Sequence, residues 1–435
     1  MLLILTTSVT NRLHYIVNLL FEEIYGMETD FTLSKEEYLR YEGPKIAYLK
    51  ENPGDGIFID PSGLLFEQAV FSHEIPVSSL GEIPVIFASA STTGGFPFDL
   101  LTAAFYLVSR YEEYPSVQHD KYGRFPFSAS LAARGEFLEK PVVNLWLKLF
   151  MDRLLKTWPG VKTRQQPYRY LSTLDIDHAY AYRYKPFFRT IGGIGKSITH
   201  GHPGEVLGRF KTLGGFSPDP FDTYRYIREV HEKHGLPALL FILFADYGGD
   251  DNNIPVRSRA MEKLIGELSS WSELGIHPSL SSNKHPSRLK REKEGLERLS
   301  GRMVTKSRQH FLKFSFPETF HRLDQLGITD EFSMGYASHP GFRAGIANSF
   351  YFFDLSRNEA TRLRIHPVSV MDVTFRDYLR LEPGESLSRI QEIIRQIRSV
   401  NGEFVSLWHN EGLSETGRWK GWRAVYKEMM ECASP

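Results

Sequence analysis

From residue 168 onward the chain alternates short apolar runs with longer amphipathic stretches. That alternation limits the fold more than any other feature of the 435-residue sequence. Residues 168–174, 237–244, 303–307 and 404–408 read as strands, as does a short run closing at Gly275-Ile276. Between them, 222–234, 258–270, 287–299, 318–326 and 387–400 carry apolar residues at helical spacing. Such a repeat predicts a largely parallel sheet, open or closed into a barrel, with helices packed on it. In folds of this class chemistry gathers where strands end. Four of these strand ends carry Asp175 with Asp177, His277, Arg308 with His310, and His409.

The first of these ends, LSTLDIDHAY at 171–180, is the most informative. Side chains two apart on a strand share a face, so Asp175 and Asp177 point one way while Leu174 and Ile176 point into packing. Two adjacent carboxylates repel and are costly to desolvate. A cation, a shared proton or a catalytic division of labour would account for them. An acidic strand end opening into a loop would carry the same pair. A lone histidine is usually a packed or surface residue, but three at separate strand ends beside two carboxylates form a constellation.

Residues 1–165 read as a separate, smaller α/β block without a catalytic constellation. A strand over 2–6 is followed by a helix from Asn11, and buried helices are expected at 99–110 and 142–158. Glu112-Glu113 reads as a solvated helix end. The segment 186–222 reads as a long excursion, a candidate lid. Its GGIGKS is not a phosphate loop, because Thr190 stands where that pattern needs glycine. Lys+Arg and Asp+Glu are both 52, which argues against a nucleic-acid partner. A single cysteine, Cys432, excludes an internal disulfide and a Cys-rich zinc site. No apolar run reaches membrane-spanning length, the opening lacks a basic leader, and a cytoplasmic protein is expected.

The order of the motifs resembles the NodB-homology polysaccharide deacetylases, the family-four carbohydrate esterases. Thr173-Leu174-Asp175-Ile176-Asp177 matches the D-x-D form of their first motif. Residues 275–281, GIHPSLS, resemble G-x-H-[ST]-x-x-H, and Leu407-Trp408-His409 matches L-x-H. The resemblance covers residues 166–435, and residues 1–165 resemble the accessory domain preceding it in some bacterial members. It implies a distorted (β/α) barrel of NodB type, preceded by the smaller α/β domain. It also implies metal-dependent hydrolysis of N-acetyl or O-acetyl groups on a carbohydrate substrate, with a divalent metal, Zn2+, as cofactor. Asp175 would be the base, Asp177 and His277 metal ligands, and His409 the acid. Ser281 stands where the family has its second metal histidine, so a further ligand is needed. His310 is the candidate, with His366 next and His178 below it. The family's arginine falls on Arg308 by strand order or on Arg343 by local wording, and Asp372 would orient the histidine. Trp419 and Trp422 could face a sugar or pack a terminal helix. Two other readings stay open: a glycoside hydrolase using the carboxylate pair, and a degenerate binding or scaffold protein that has lost its metal.

Overall fold

The computed structural model describes residues 1–89, 95–199 and 203–435. The chain opens as β1 (Leu2–Thr6), whose five residues are all buried, and turns into the helix Asn11–Val17. Thr10 starts that helix by accepting a hydrogen bond from the Leu13 N–H, as a side-chain N-cap does. β2 (Thr29–Thr32), β3 (Lys45–Tyr48) and β4 (Ile57–Ile59) complete a parallel sheet in the order β2-β1-β3-β4. A hairpin, β5 (Val77–Leu80) with β6 (Ile83–Ile86), follows. The two expected helices form at Leu100–Val108 and Val142–Thr157. The first is buried along its whole length and capped by the Asp99 carboxylate.

The second sheet has nine strands: β7 (Arg169–Ile176), β8 (Ala238–Ile242), β9 (Glu273–Ile276), β10 (Lys306–Ser307), β11 (Asp330–Glu331), β12 (Phe350–Asp354), β13 (Glu359–Ile365), β14 (Val370–Met371) and β15 (Glu403–His409). They are ordered β12-β13-β11-β10-β9-β8-β7-β15-β14, and every pairing is parallel except β12 with β13. This is a mixed α/β architecture, and the predicted strand–helix alternation forms with shifts of a few residues at element ends. Between β13 and β14 the chain bonds to both sides. The His366 and Val368 N–H groups donate to the Glu331 and Met334 carbonyls, and the Ser369 N–H donates to the Val405 carbonyl within β15.

Side-chain alternation gives the sheet two packed faces. Leu174, Ile176, Leu240, Ile242 and Trp408 join the large core beneath the helices. Their neighbours Leu239, Phe241, Val405 and Leu407 form a smaller core on the other face, with Phe332, Val368 and Met371. Asp175 shares that inner face. Gly275 is dictated by the same packing, since a Cβ there would lie 2.5 Å from the Phe241 ring. The large core also takes in Phe105, Trp146 and Phe150 from residues 1–165, so apolar packing is continuous through the chain.

One local expectation is corrected, and two open ones are resolved in outline. Glu112 and Glu113 are not solvated: both side chains are buried, and Glu113 receives two hydrogen bonds from Arg343 (2.9 and 2.6 Å) and one from Arg110 (2.7 Å). The glycine-rich excursion forms two helices, Phe187–Thr199 and Pro203–Leu213, with 200–202 outside the described residues. Trp419 and Trp422 are 2% exposed and meet edge-to-face at 5.6 Å, so they pack the C-terminal helix Trp422–Ala433 and offer no face to a sugar.

Candidate functional site

The register of β7 sets the geometry. Asp175 lies opposite His409 of β15 on one side and opposite Phe241 of β8 on the other, which brings three strand ends to one mouth. Asp175 is buried and accepts a hydrogen bond from Arg308 Nη1 at 2.9 Å. Arg308 is itself fully buried. Its Nη2 donates to Thr173 Oγ1 (2.7 Å), its Nε donates to the Phe332 carbonyl (2.9 Å), and its guanidinium lies 4.5 Å from the centre of the Phe241 ring. A cation fixed from three sides gives Asp175 a permanent counter-charge.

Asp177 is surrounded by imidazoles instead. His277 Nδ1 donates to the Arg308 carbonyl at 2.6 Å, which leaves Nε2 facing Asp177 Oδ1 at 3.2 Å and Asp175 Oδ2 at 3.6 Å. His310 Nδ1 donates to Asp251 Oδ1 at 3.0 Å, which leaves its Nε2 3.5 Å from Asp177 Oδ2. One ligand atom each from Asp177, His277 and His310 lies within 4.8 Å of the others. Asp177 Oδ1 is buried and accepts no well-aligned hydrogen bond. With both Nδ1 atoms committed as donors, a neutral cluster would aim two nitrogen lone pairs at a carboxylate. Such a grouping needs protons or a cation between its members, and His2Asp with outer Nδ1 bonds is the donor set of a zinc site.

The protonation tendencies agree. Burial alone would raise the Asp177 carboxyl, but His310 and His277 reverse this and hold it well below the usual carboxylate range. Burial likewise works against a charged His310, yet Asp177 and Asp251 push it up to about 9. Without metal, a proton on His310 supplies charge that a cation would otherwise bring.

His409 faces the cluster from β15. Its Nδ1 bonds Asp372 Oδ1 at 2.7 Å, its own N–H donates to Asp372 Oδ2 at 2.9 Å, and its Nε2 is 3.7 Å from Asp177 Oδ2. Against the effect of burial, Asp372, with Asp177 and Asp175 behind it, pushes His409 up to about 10. Gly412 makes room for this arrangement, because a Cβ there would lie 2.5 Å from Asp372 Oδ2. Asp175, Asp177, His277, His310 and His409 line a cleft of ≈ 240 Å³ whose apolar wall includes Leu312, Met371 and Leu407, and Arg124 and Tyr378 stand at its side.

The structure thus gathers Asp175, Asp177, His277, Arg308, His310, Asp372 and His409. Arg343 is not among them, because its guanidinium is tied to Glu113 and the Gly335 carbonyl. His366 is also apart, bonded to Glu403 (2.7 Å) and Asp330 (2.9 Å) and stacked on Phe332. His178 lines the cleft beside Glu411 at 3.6 Å. Asp251, the partner of His310, carries no signal in the sequence pattern. It lies in a Gly-Gly-Asp-Asp turn and accepts from the Leu280 and Ser281 N–H groups (3.0 and 3.2 Å). Position 281, which supplies no imidazole, therefore steadies the carboxylate behind His310.

A family of unknown function (DUF7033) matches residues 2–159. Comparison with curated proteins yields no match. Among solved structures, a protein assigned as a polysaccharide deacetylase from Mycobacterium smegmatis is similar over 61% of this chain and 84% of its own, at 14% identity and a TM-score of 0.41. A CE4 family pseudoenzyme from Bacillus anthracis is similar over 60% of this chain and 61% of its own, at 13% identity and a TM-score of 0.31. The polysaccharide deacetylase of Bacillus cereus is similar over 61% and 88%, at 8% identity and a TM-score of 0.29. These are likenesses of partial chain path, and none bears on the roles of the residues above.

Proposed function

We propose that the chain is a metal-dependent hydrolase that removes acetyl groups from a sugar or polysaccharide, with residues 166–435 as a NodB-type deacetylase domain and 1–165 as an accessory α/β domain. The observation that carries this reading is the separation of the two carboxylates: Asp175 on a buried guanidinium, Asp177 between two imidazoles whose Nδ1 atoms are held by the Arg308 carbonyl and Asp251. The double hydrogen bonding of residues 366–369 supports closure of the second sheet into a distorted (β/α) barrel.

Asp177, His277 and His310 would hold the cation, and Zn2+ suits two nitrogens and a carboxylate. When bound it supplies a Lewis acid that polarises an acyl carbonyl and lowers the pKa of water. Asp175, hydrogen-bonded by Arg308, takes the proton of the attacking water. His409, held by Asp372 with Nε2 toward the cleft, gives a proton to the departing sugar nitrogen or oxygen as the acyl bond breaks. A glycoside hydrolase reading leaves His310, Asp251 and the His409–Asp372 pair without a task.

The test is acetate release. The zinc-loaded protein is expected to free acetate from acetylated chito-oligosaccharides or O-acetylated glycans, and to stop when the metal is chelated. Zinc binding without acetate release from any such substrate would remove the hydrolase reading and favour a degenerate binding protein.

A further inference from the structure

Beyond Asp177 the chain leaves the cleft as a helical pair whose apolar side chains face outward. On Phe187–Thr199, Ser197 is buried while Phe188, Ile191 and Ile198 are exposed, at the three- and seven-residue steps that share one helix face. On Pro203–Leu213, Arg209 and Thr212 are buried while Leu207 and Phe210 are exposed. Phe188 is 85% exposed and Phe216, just past the second helix, 86%. Nine of the 21 exposed large hydrophobic residues among the described residues fall between Tyr184 and Phe216, so this is a patch and not the usual scatter.

The polar side of the pair is what fixes it to the body. The Asp219 carboxylate accepts from the N–H groups of Ala181, Tyr182 and Arg183 (2.7, 2.9 and 2.9 Å). Arg189 donates to the Asn253 and Asn252 carbonyls (2.9 and 3.2 Å), and Ser197 joins the two helices through Glu205 at 2.9 Å. The apolar face is therefore held outward by its base.

Charge indicates what covers it. Residues 183–216 contain six Lys or Arg against one Glu; Arg189 and Arg209 are turned to the body, and Lys211 is exposed next to Phe210. A second copy meeting the same face about a twofold axis would set like charges such as Lys211 toward one another. An anionic lipid surface offers both the apolar phase and the counter-charge. No helix among the described residues is long and apolar enough to cross a membrane.

We propose that this helical pair is an interfacial anchor that lies in the surface of an anionic phospholipid bilayer. Because the pair begins within ten residues of Asp177, docking sets the mouth of the cleft near that surface. The proposal stands without the hydrolase reading, since its test needs neither metal nor turnover.

The test is flotation of the full-length protein with vesicles of phosphatidylcholine alone or mixed with phosphatidylglycerol. Binding to the anionic vesicles is expected, weakening as salt is raised. The double variants Phe187→Ser/Phe188→Ser and Phe210→Ser/Phe216→Ser should each reduce partition by about tenfold or more. Circular dichroism and melting temperature should stay unchanged, because these rings contact solvent. Absence of vesicle binding, or binding equal in the variants, would overturn the proposal. So would a concentration-dependent dimer in sedimentation that the Phe variants dissolve, which would give the face to a second copy.

Discussion

Asp175 and Asp177 stand two residues apart on one strand face, and their surroundings divide them. Asp175→Asn should keep zinc while lowering turnover by roughly 100- to 10,000-fold, and Asp177→Ala should lose zinc. Equal zinc loss in both variants, measured by elemental analysis, would contradict the division. His310 adds a pH signature. Its folded-state pKa of about 9 means that below this pH zinc must displace its proton. Apparent zinc affinity should then rise about tenfold per pH unit on approach to that value, with proton release detectable by calorimetry in buffers of different ionisation enthalpy. An affinity flat with pH would mean that His310 is not a ligand. Asp251→Asn should weaken zinc by roughly 10- to 100-fold while leaving His277 in place. At this scale much of the site is legible in the sequence. Strand parity separates Asp175 and Asp177 from Leu174 and Ile176, and the order of strand ends points to His310 and Arg308. Asp251 is not legible, because a turn of glycines and aspartates has no periodicity to tie it to a histidine 59 residues away.

Elements matter here through register and through what braces the strand ends. The turn after β15 passes close to Asp372, so Gly412→Ala should displace that carboxylate and lower turnover with little change in zinc content. Unchanged turnover would show that Asp372 does not need its present position. The buried Arg343–Glu113 pair joins the loop after β11 to the helical segment after Leu100–Val108. Glu113→Gln leaves buried guanidinium charge unpaired and should destabilise the fold by about 3–5 kcal/mol, measured by urea unfolding. Sequence pattern does not reveal this pair. Two adjacent glutamates and a distant arginine resemble surface charge until tertiary packing buries them. The helices of the excursion are hidden for a related reason. Its glycines disfavour helix, and they mask the apolar spacing that yields its helices.

For the molecule as a whole, acid should act partly through His231, which sits between β7 and the C-terminal helix. Burial holds its pKa down to about 4, with Nε2 2.9 Å from Tyr426 Oη. A folded-state pKa below the unfolded value of about 6.5 means the unfolded chain binds the extra proton. Stability from this group is therefore full above about 6.5 and lost as pH falls toward 4, by on the order of 3 kcal/mol. His231→Gln should flatten that slope, and an unchanged slope would move the acid sensitivity elsewhere. The α/β layering is legible in the strand–helix alternation of the sequence. The continuity of one core from residues 1–165 into the second sheet is not, because apolar patterning shows which face is buried but not against which partner. This fold brings Asp177, His277 and His310 together, and on the proposed function they hold a metal. Anomalous diffraction at the zinc absorption edge, on crystals of the zinc-soaked protein, tests it most directly. One strong peak is expected, bonded to an Asp177 carboxylate oxygen and to Nε2 of both histidines at about 2.0–2.2 Å. No peak in the cleft, or a peak from which His310 is absent, would contradict it.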